Sequence, residues 1–147
     1  MQRLAPRLMR PPSIFNCRLL KRWHNDEAHH QGMTICIELE ACFDQNQTVK
    51  NDVESSFRNI REARHNIVLI SSFTKDETKQ LIKTKFPNEL QSLPYVSSES
   101  IPVKLPNPGV LIYGIETLCN GDISNSLIVC QSSNMIKASK SCDIPII

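Results

Sequence analysis

The sequence predicts an α/β fold layered around a mainly parallel sheet, and three observations carry that reading. From residue 34 onward, short apolar runs alternate with stretches whose apolar residues recur every three or four positions. The runs suit buried strands and the periodic stretches suit amphipathic helices. Strand and helix signals take turns along the chain instead of clustering, as they do where helical crossovers join parallel strands. Such crossovers are right-handed. Residues that start or stop helices stand between the two kinds of segment.

Thr34–Leu39 is the first apolar run and the first expected strand. Asp52 is placed to cap a helix in which Val53, Phe57 and Ile60 form one stripe. Asn66–Ile70, read N-I-V-L-I, is the clearest buried strand. Thr74 and Glu77 have capping-box spacing, so a helix opens there, buries Leu81 and Ile82 and stops before Pro87. Tyr95-Val96 is a short strand in a less regular stretch. Asn107-Pro108 pairs a capping amide with a proline that needs no partner in the first turn, and Val110, Leu111, Ile115 and Leu118 follow as a helix face. Gly121 turns the chain into the strand Leu127–Cys130. Ser133–Ser141 is expected as a helix and Ile144–Ile147 as a final strand.

Length fits one domain, and no apolar run is long enough for a membrane span. Charge is uneven. Residues 1–25 hold six basic side chains (Arg3, Arg7, Arg10, Arg18, Lys21 and Arg22) and no acid, so a net charge of +2 leaves −4 for the rest. A mildly acidic body argues against nucleic-acid binding, which needs a basic face. The acid-free arginine leader fits a mitochondrial transit peptide, with Leu4, Leu8, Ile14, Phe15, Leu19 and Leu20 as apolar partners, although Pro6, Pro11 and Pro12 interrupt any continuous helix. The expected division is a leader and linker over 1–32 and a folded domain over 33–147. Matrix localisation follows, or a cytoplasmic one if translation starts at Met33. His24, Asp26, Glu27, His29 and His30 read as a solvated linker, since no motif supplies the rest of a metal site. The six cysteines have no C-x-x-C spacing, and four of them lie in or beside apolar runs, where a free thiol behaves as a small apolar residue. Asn46-Gln47-Thr48 matches a glycosylation sequon, which matters only in a secreted chain.

In parallel α/β sheets ligands gather beyond the carboxyl ends of the strands. The residues there are Glu38 and Glu40 after the first strand, Ser71 after the second and Gln131 after the last long one; Lys104 precedes the helix opened by Pro108. The segments Ile37-Glu38-Leu39-Glu40-Ala41-Cys42, Leu69-Ile70-Ser71-Ser72, Val103-Lys104-Leu105-Pro106-Asn107-Pro108 and Val129-Cys130-Gln131-Ser132-Ser133-Asn134-Met135 come in that order. Together they resemble the four motifs of haloacid-dehalogenase-type (HAD) phosphatases: Asp-x-Asp, Ser or Thr, Lys, and a final acidic motif.

The resemblance covers residue 34 to the C-terminus and implies a three-layer α/β/α, Rossmann-like domain without an inserted cap. It places Glu38 at the nucleophile and Glu40 at the general acid/base, with Ser71 and Lys104 as phosphate contacts. Glu38 and Gln131 fall at magnesium-ligand positions, and Asn134 or Met135 at the final acid. The departures imply impairment. Each Asp→Glu change displaces a carboxylate by ~1.5 Å, about one carbon–carbon bond, where misplacement of about 1 Å can cost a hundredfold in rate. Gln131 removes an anionic ligand that magnesium needs. The expected protein is therefore a HAD-like domain with a decayed hydrolytic site, acting by binding or assembly with a protein partner or a small phosphorylated ligand. It needs no cofactor in that role, and magnesium only if activity remains. The alternative is a slow magnesium-dependent phosphatase of a small phosphomonoester.

Overall fold

The computed structural model describes residues 32–147. The arginine-rich leader, the linker histidines and Cys17 lie outside the described residues. Strands β1 (Thr34–Glu38), β2 (Asn66–Ile70), β3 (Tyr95–Val96) and β4 (Ser126–Val129) form one parallel sheet in the order β3-β2-β1-β4. Ile35 stands level with Ile67 on one side and Leu127 on the other, so the apolar residues of all three strands line up in register.

Alternation along the strands divides the core in two. Ile35, Ile37, Ile67, Leu69, Leu127 and Val129 pack on one face, against helices α1 (Val53–Glu62) and α2 (Lys75–Lys85). Cys36, Val68, Ile70 and Ile128 pack on the other, against α3 (Gly109–Ile112) with its π-helical continuation Tyr113–Leu118, and against α4 (Ser133–Ser141). The result is the three-layer α/β/α arrangement expected. Both sheet faces are covered, which is why the strands read as continuous apolar runs.

Most local signals act as the sequence implied, although Asp52 stands at the N-cap of α1 without a side-chain capping bond. Val53, Phe57 and Ile60 are the buried stripe of α1. The capping box of α2 is complete: Thr74 Oγ1 accepts from Glu77 N at 3.2 Å and Glu77 Oε1 accepts from Thr74 N at 3.1 Å. Asn107 Oδ1 accepts from Gly109 N at 2.7 Å, giving the amide the role expected at the start of α3. Leu39, expected in the first strand, instead opens the 3-10 turn Leu39–Cys42. Beyond it, Phe43 and Val49 pair across a small hairpin, and Phe43 stacks on Phe86 with centroids 6.1 Å apart. At the turn before β4, Asn120 takes the left-handed conformation (φ 52°), while Gly121 is required for space: a Cβ there would lie 2.3 Å from Thr34 Oγ1.

The final strand is a correction. Ile144–Ile147 makes one parallel bridge, Ile146 with Ile128, beside β4. Pro145 accepts from Ile128 N but has no N–H to give, so the ladder cannot extend through it.

The chain steps from β1 out to β3, then returns to place β4 on the opposite side of β1. The reversal sets a crevice at the carboxyl end of β1, flanked by the exits of β2 and β4.

Phe57 is fully buried and meets Phe86 edge-on at 5.9 Å. Phe57→Ala is expected to lower unfolding free energy by about 3–5 kcal/mol, measured by urea denaturation.

Candidate functional site

Glu38 is the last residue of β1 and is 7% exposed. Its Oε1 accepts from the backbone N–H of Gln131 at 2.8 Å and of Ser132 at 3.0 Å, both just past β4. Ser132 is the N-cap of α4, so the carboxylate also lies at the positive end of that helix. Charge-assisted bonds of this kind are the stronger class.

Glu40 reaches the other flank. Its Oε2 accepts from Ser72 N at 2.9 Å and from Ser72 Oγ at 2.6 Å, just past β2. Its Oε1 is screened from solvent and has no hydrogen-bond partner. Neither oxygen of Glu40 is therefore presented to the crevice as a free base.

Ser71 is 4% exposed, and its hydroxyl is engaged inside the fold. Ser71 Oγ pairs with Thr78 Oγ1 at 2.9 Å and accepts from Phe73 N at 3.0 Å, a local turn that feeds α2. Lys104 lies in the loop between β3 and α3 and is exposed. Among the described residues the ion pairs belong to Arg58, so Lys104 grips no carboxylate. Gln131 contributes its backbone, and its side chain is exposed. Asn134 is exposed, whereas Met135 is wholly buried in the core beneath α4.

Thus the structure joins the β1 exit directly to the exits of β2 and β4, and leaves the Lys104 side chain in solvent. Sequence reading missed Ser72 and Ser132 as the groups that meet the two carboxylates. For Ser132 a signal existed: Ser-x-x-Met immediately before a helix is an N-cap position, and Ser132 Oγ accepts from Met135 N at 3.3 Å.

Magnesium can be tested against this donor set. Glu38 Oε1 already serves two amides, position 131 offers a neutral amide, and Met135 faces the core. Among the described residues no three His, Cys, Asp or Glu side chains gather so as to hold a metal ion. The set does not fit a divalent cation that depends on carboxylate oxygens.

Two thiols border the carboxylates. Cys42 Sγ lies 3.9 Å from Glu38 O, and burial pushes its pKa far above the ordinary range, with the Lys50 charge opposing and the Glu40 and Glu38 charges adding to the rise. Cys130 is pushed up to about 11, by burial first and by the Glu38 charge second. Neither is an activated nucleophile. A cleft of about 290 Å³ lined by Arg61, Asn66, Ser92 and Cys119 lies elsewhere, at the amino ends of β2 and β3.

Solved structures place this architecture. A protein from Thermotoga maritima assigned as a beta-phosphoglucomutase superposes with a TM-score of 0.55 at 12% identity, covering 78% of this chain and 83% of that one. One from Lactobacillus plantarum assigned as a phosphoglycolate phosphatase gives 0.56 at 7% identity, covering 80% and 86%. A hydrolase from Streptococcus pneumoniae gives 0.58 at 15% identity, covering 88% of this chain but 60% of that one. The fold is that of the HAD hydrolases. No protein-family model matches the sequence, and no curated protein does. At the exit of β1 each of the two carboxylates has one oxygen committed to a neighbouring loop.

Glu38→Ala is expected to cost about 1–3 kcal/mol of folding stability, because two amides lose their acceptor. Lys104→Ala should stay within about 0.5 kcal/mol of the parent in the same denaturant titration. At about pH 8, where an ordinary thiol is partly ionised, iodoacetamide should leave Cys42 and Cys130 unmodified in the native protein and label both after denaturation.

Proposed function

We propose that this protein is a HAD-fold domain that has lost hydrolysis and acts by binding or assembly. One observation carries the reading: one oxygen of each strand-end carboxylate is held by contacts within the fold, Glu38 Oε1 by Gln131 N and Ser132 N, Glu40 Oε2 by Ser72. A carboxylate nucleophile must bring a free oxygen in line with phosphorus, and a general acid/base must exchange a proton with the leaving oxygen. Glu38 is 7% exposed with its Oε1 held by two amides, and Glu40 has Oε2 held by Ser72 and Oε1 screened from solvent, which constrains both against that work. The poor magnesium donor set supports the same conclusion.

The binding role is kept polar by the surface. Among the described residues Val103 is the large apolar side chain left exposed, so a protein partner of this domain would be met mainly by polar contacts. A small phosphorylated ligand remains the other candidate, through the exposed Lys104. The leader over 1–32 is proposed to direct import into the mitochondrial matrix, on the strength of its six basic residues and lack of acids up to residue 25.

A slow phosphatase is the second reading, favoured by the convergence of the β1, β2 and β4 exits on one crevice and by the phosphatase-type proteins that share the fold. One assay separates the two. Full-length protein with magnesium and p-nitrophenyl phosphate is expected to release no nitrophenol above the protein-free rate. Turnover that disappears in Glu38→Gln would establish the phosphatase instead. The combined change Glu38→Asp, Glu40→Asp and Gln131→Asp asks whether the scaffold is only disarmed; appearance of magnesium-dependent turnover is the expected sign. For the leader, a fluorescent fusion should enter mitochondria with residues 1–32 and stay cytosolic without them. Identical distributions would remove the import proposal.

A further inference from the structure

We propose that Glu40 is an autoinhibitory side chain, a tethered anion that fills the oxyanion-accepting donors of the β2 exit. The inference rests on the reading that neither carboxylate serves hydrolysis. Ser72 offers one N–H and one hydroxyl at the crevice flank, and a single Glu40 oxygen takes both, at 2.9 and 2.6 Å. The next three amides are taken as well. Phe73 N donates to Ser71 Oγ, Thr74 N to Glu77 Oε1 and Lys75 N to Glu99 Oε1. Four successive N–H groups thus point at side-chain oxygens, three of them from carboxylates.

Of these contacts, that of Glu40 is the ill-matched one. Glu77 belongs to a complete capping box, and the Ser71 contact is a local turn. Glu40 comes from another strand exit and leaves its second oxygen desolvated and without a donor. A carboxylate that gains two bonds at one oxygen and none at the other is held by proximity more than by fit. Tethering gives it a high effective concentration at Ser72, so a free anion at millimolar level loses the competition. Without the tether, a small oxyanion such as phosphate or a carboxylate takes the same two donors.

The test uses the full chain. Thermal midpoints of wild type, Glu40→Ala and Glu40→Ala with Ser72→Ala are compared in chloride, acetate and phosphate at matched ionic strength. Wild type is expected to be indifferent to the anion. Glu40→Ala should melt several degrees lower in chloride and recover part of that loss in phosphate or acetate, since a ligand that binds only the folded state raises its midpoint. Recovery in phosphate alone would identify a tetrahedral anion, and equal recovery in acetate a simple replacement of the carboxylate. Adding Ser72→Ala should blunt the recovery. An unchanged midpoint in chloride, or the same loss in all three salts, overturns the proposal.

Should Glu40→Ala not fold, Glu40→Gln keeps an acceptor without the charge. Its Ser72 amide resonance should then move on phosphate titration, while that of wild type should not. A wild-type shift at millimolar phosphate also overturns the proposal. Turnover of p-nitrophenyl phosphate by wild type would sink the inactivity reading by itself, whereas anion-blind Glu40→Ala without turnover sinks the autoinhibitory contact alone.

Discussion

A backbone N–H at the end of a buried parallel strand must find an acceptor, and that requirement organises this molecule. The exits of β2 and β4 leave amides at Ser72, Gln131 and Ser132 pointing toward the crevice beside β1. Unpaired buried donors are costly, so nearly all are satisfied in folded proteins. That pressure bears on the part-buried Gln131 and Ser132 amides, while the Ser72 contact lies at an exposed residue. Here the central strand supplies both acceptors from its own last turn: Glu38 faces β4 and Glu40 faces β2. The same two contacts tie the three exits together, which makes them part of the fold's stability as well as its surface chemistry.

Side-chain length decides how this is possible. Position 40 bridges to the next strand exit across the sheet, with its oxygen 2.6 Å from Ser72 Oγ. An aspartate there would end about one carbon–carbon bond, ~1.5 Å, short of that contact. The length of the glutamate side chain is therefore what lets it act as a crosslink. Magnesium would need oxygens that are free, while the amides need oxygens that are held.

Much of the fold was legible because it follows from periodicity and caps. The run Asn66–Ile70 is a strand with those bounds, and Thr74 and Glu77 form both halves of the box their spacing implies. The one strand that failed, Ile144–Ile147, contains Pro145, whose missing N–H is visible in the sequence and limits pairing to one bridge. The π-helical turn Tyr113–Leu118 had no signal, because its apolar positions Val110, Leu111 and Ile115 read equally well at α-helical spacing. At the site, residues 38, 40, 71 and 131 were legible as strand exits, since topology alone brings those to one rim. Their hydrogen-bond partners were not. Ser72 acts through an N–H and a hydroxyl that any serine carries, and Gln131 acts through its backbone, which no residue type reveals.

Conservation of arrangement and conservation of chemistry are separable for the same reason. The solved structures that share this fold do so at 7% to 15% identity, so the layered sheet tolerates nearly complete change of side chains. The order of the strand exits around β1 is then set by connectivity, which brings the exits of β2 and β4 to either side of it. Catalysis asks for more: oxygens of stated length, unpaired and aimed. In this chain one oxygen of Glu38 and one of Glu40 are instead paired within the fold, so arrangement and chemistry are set by different residues.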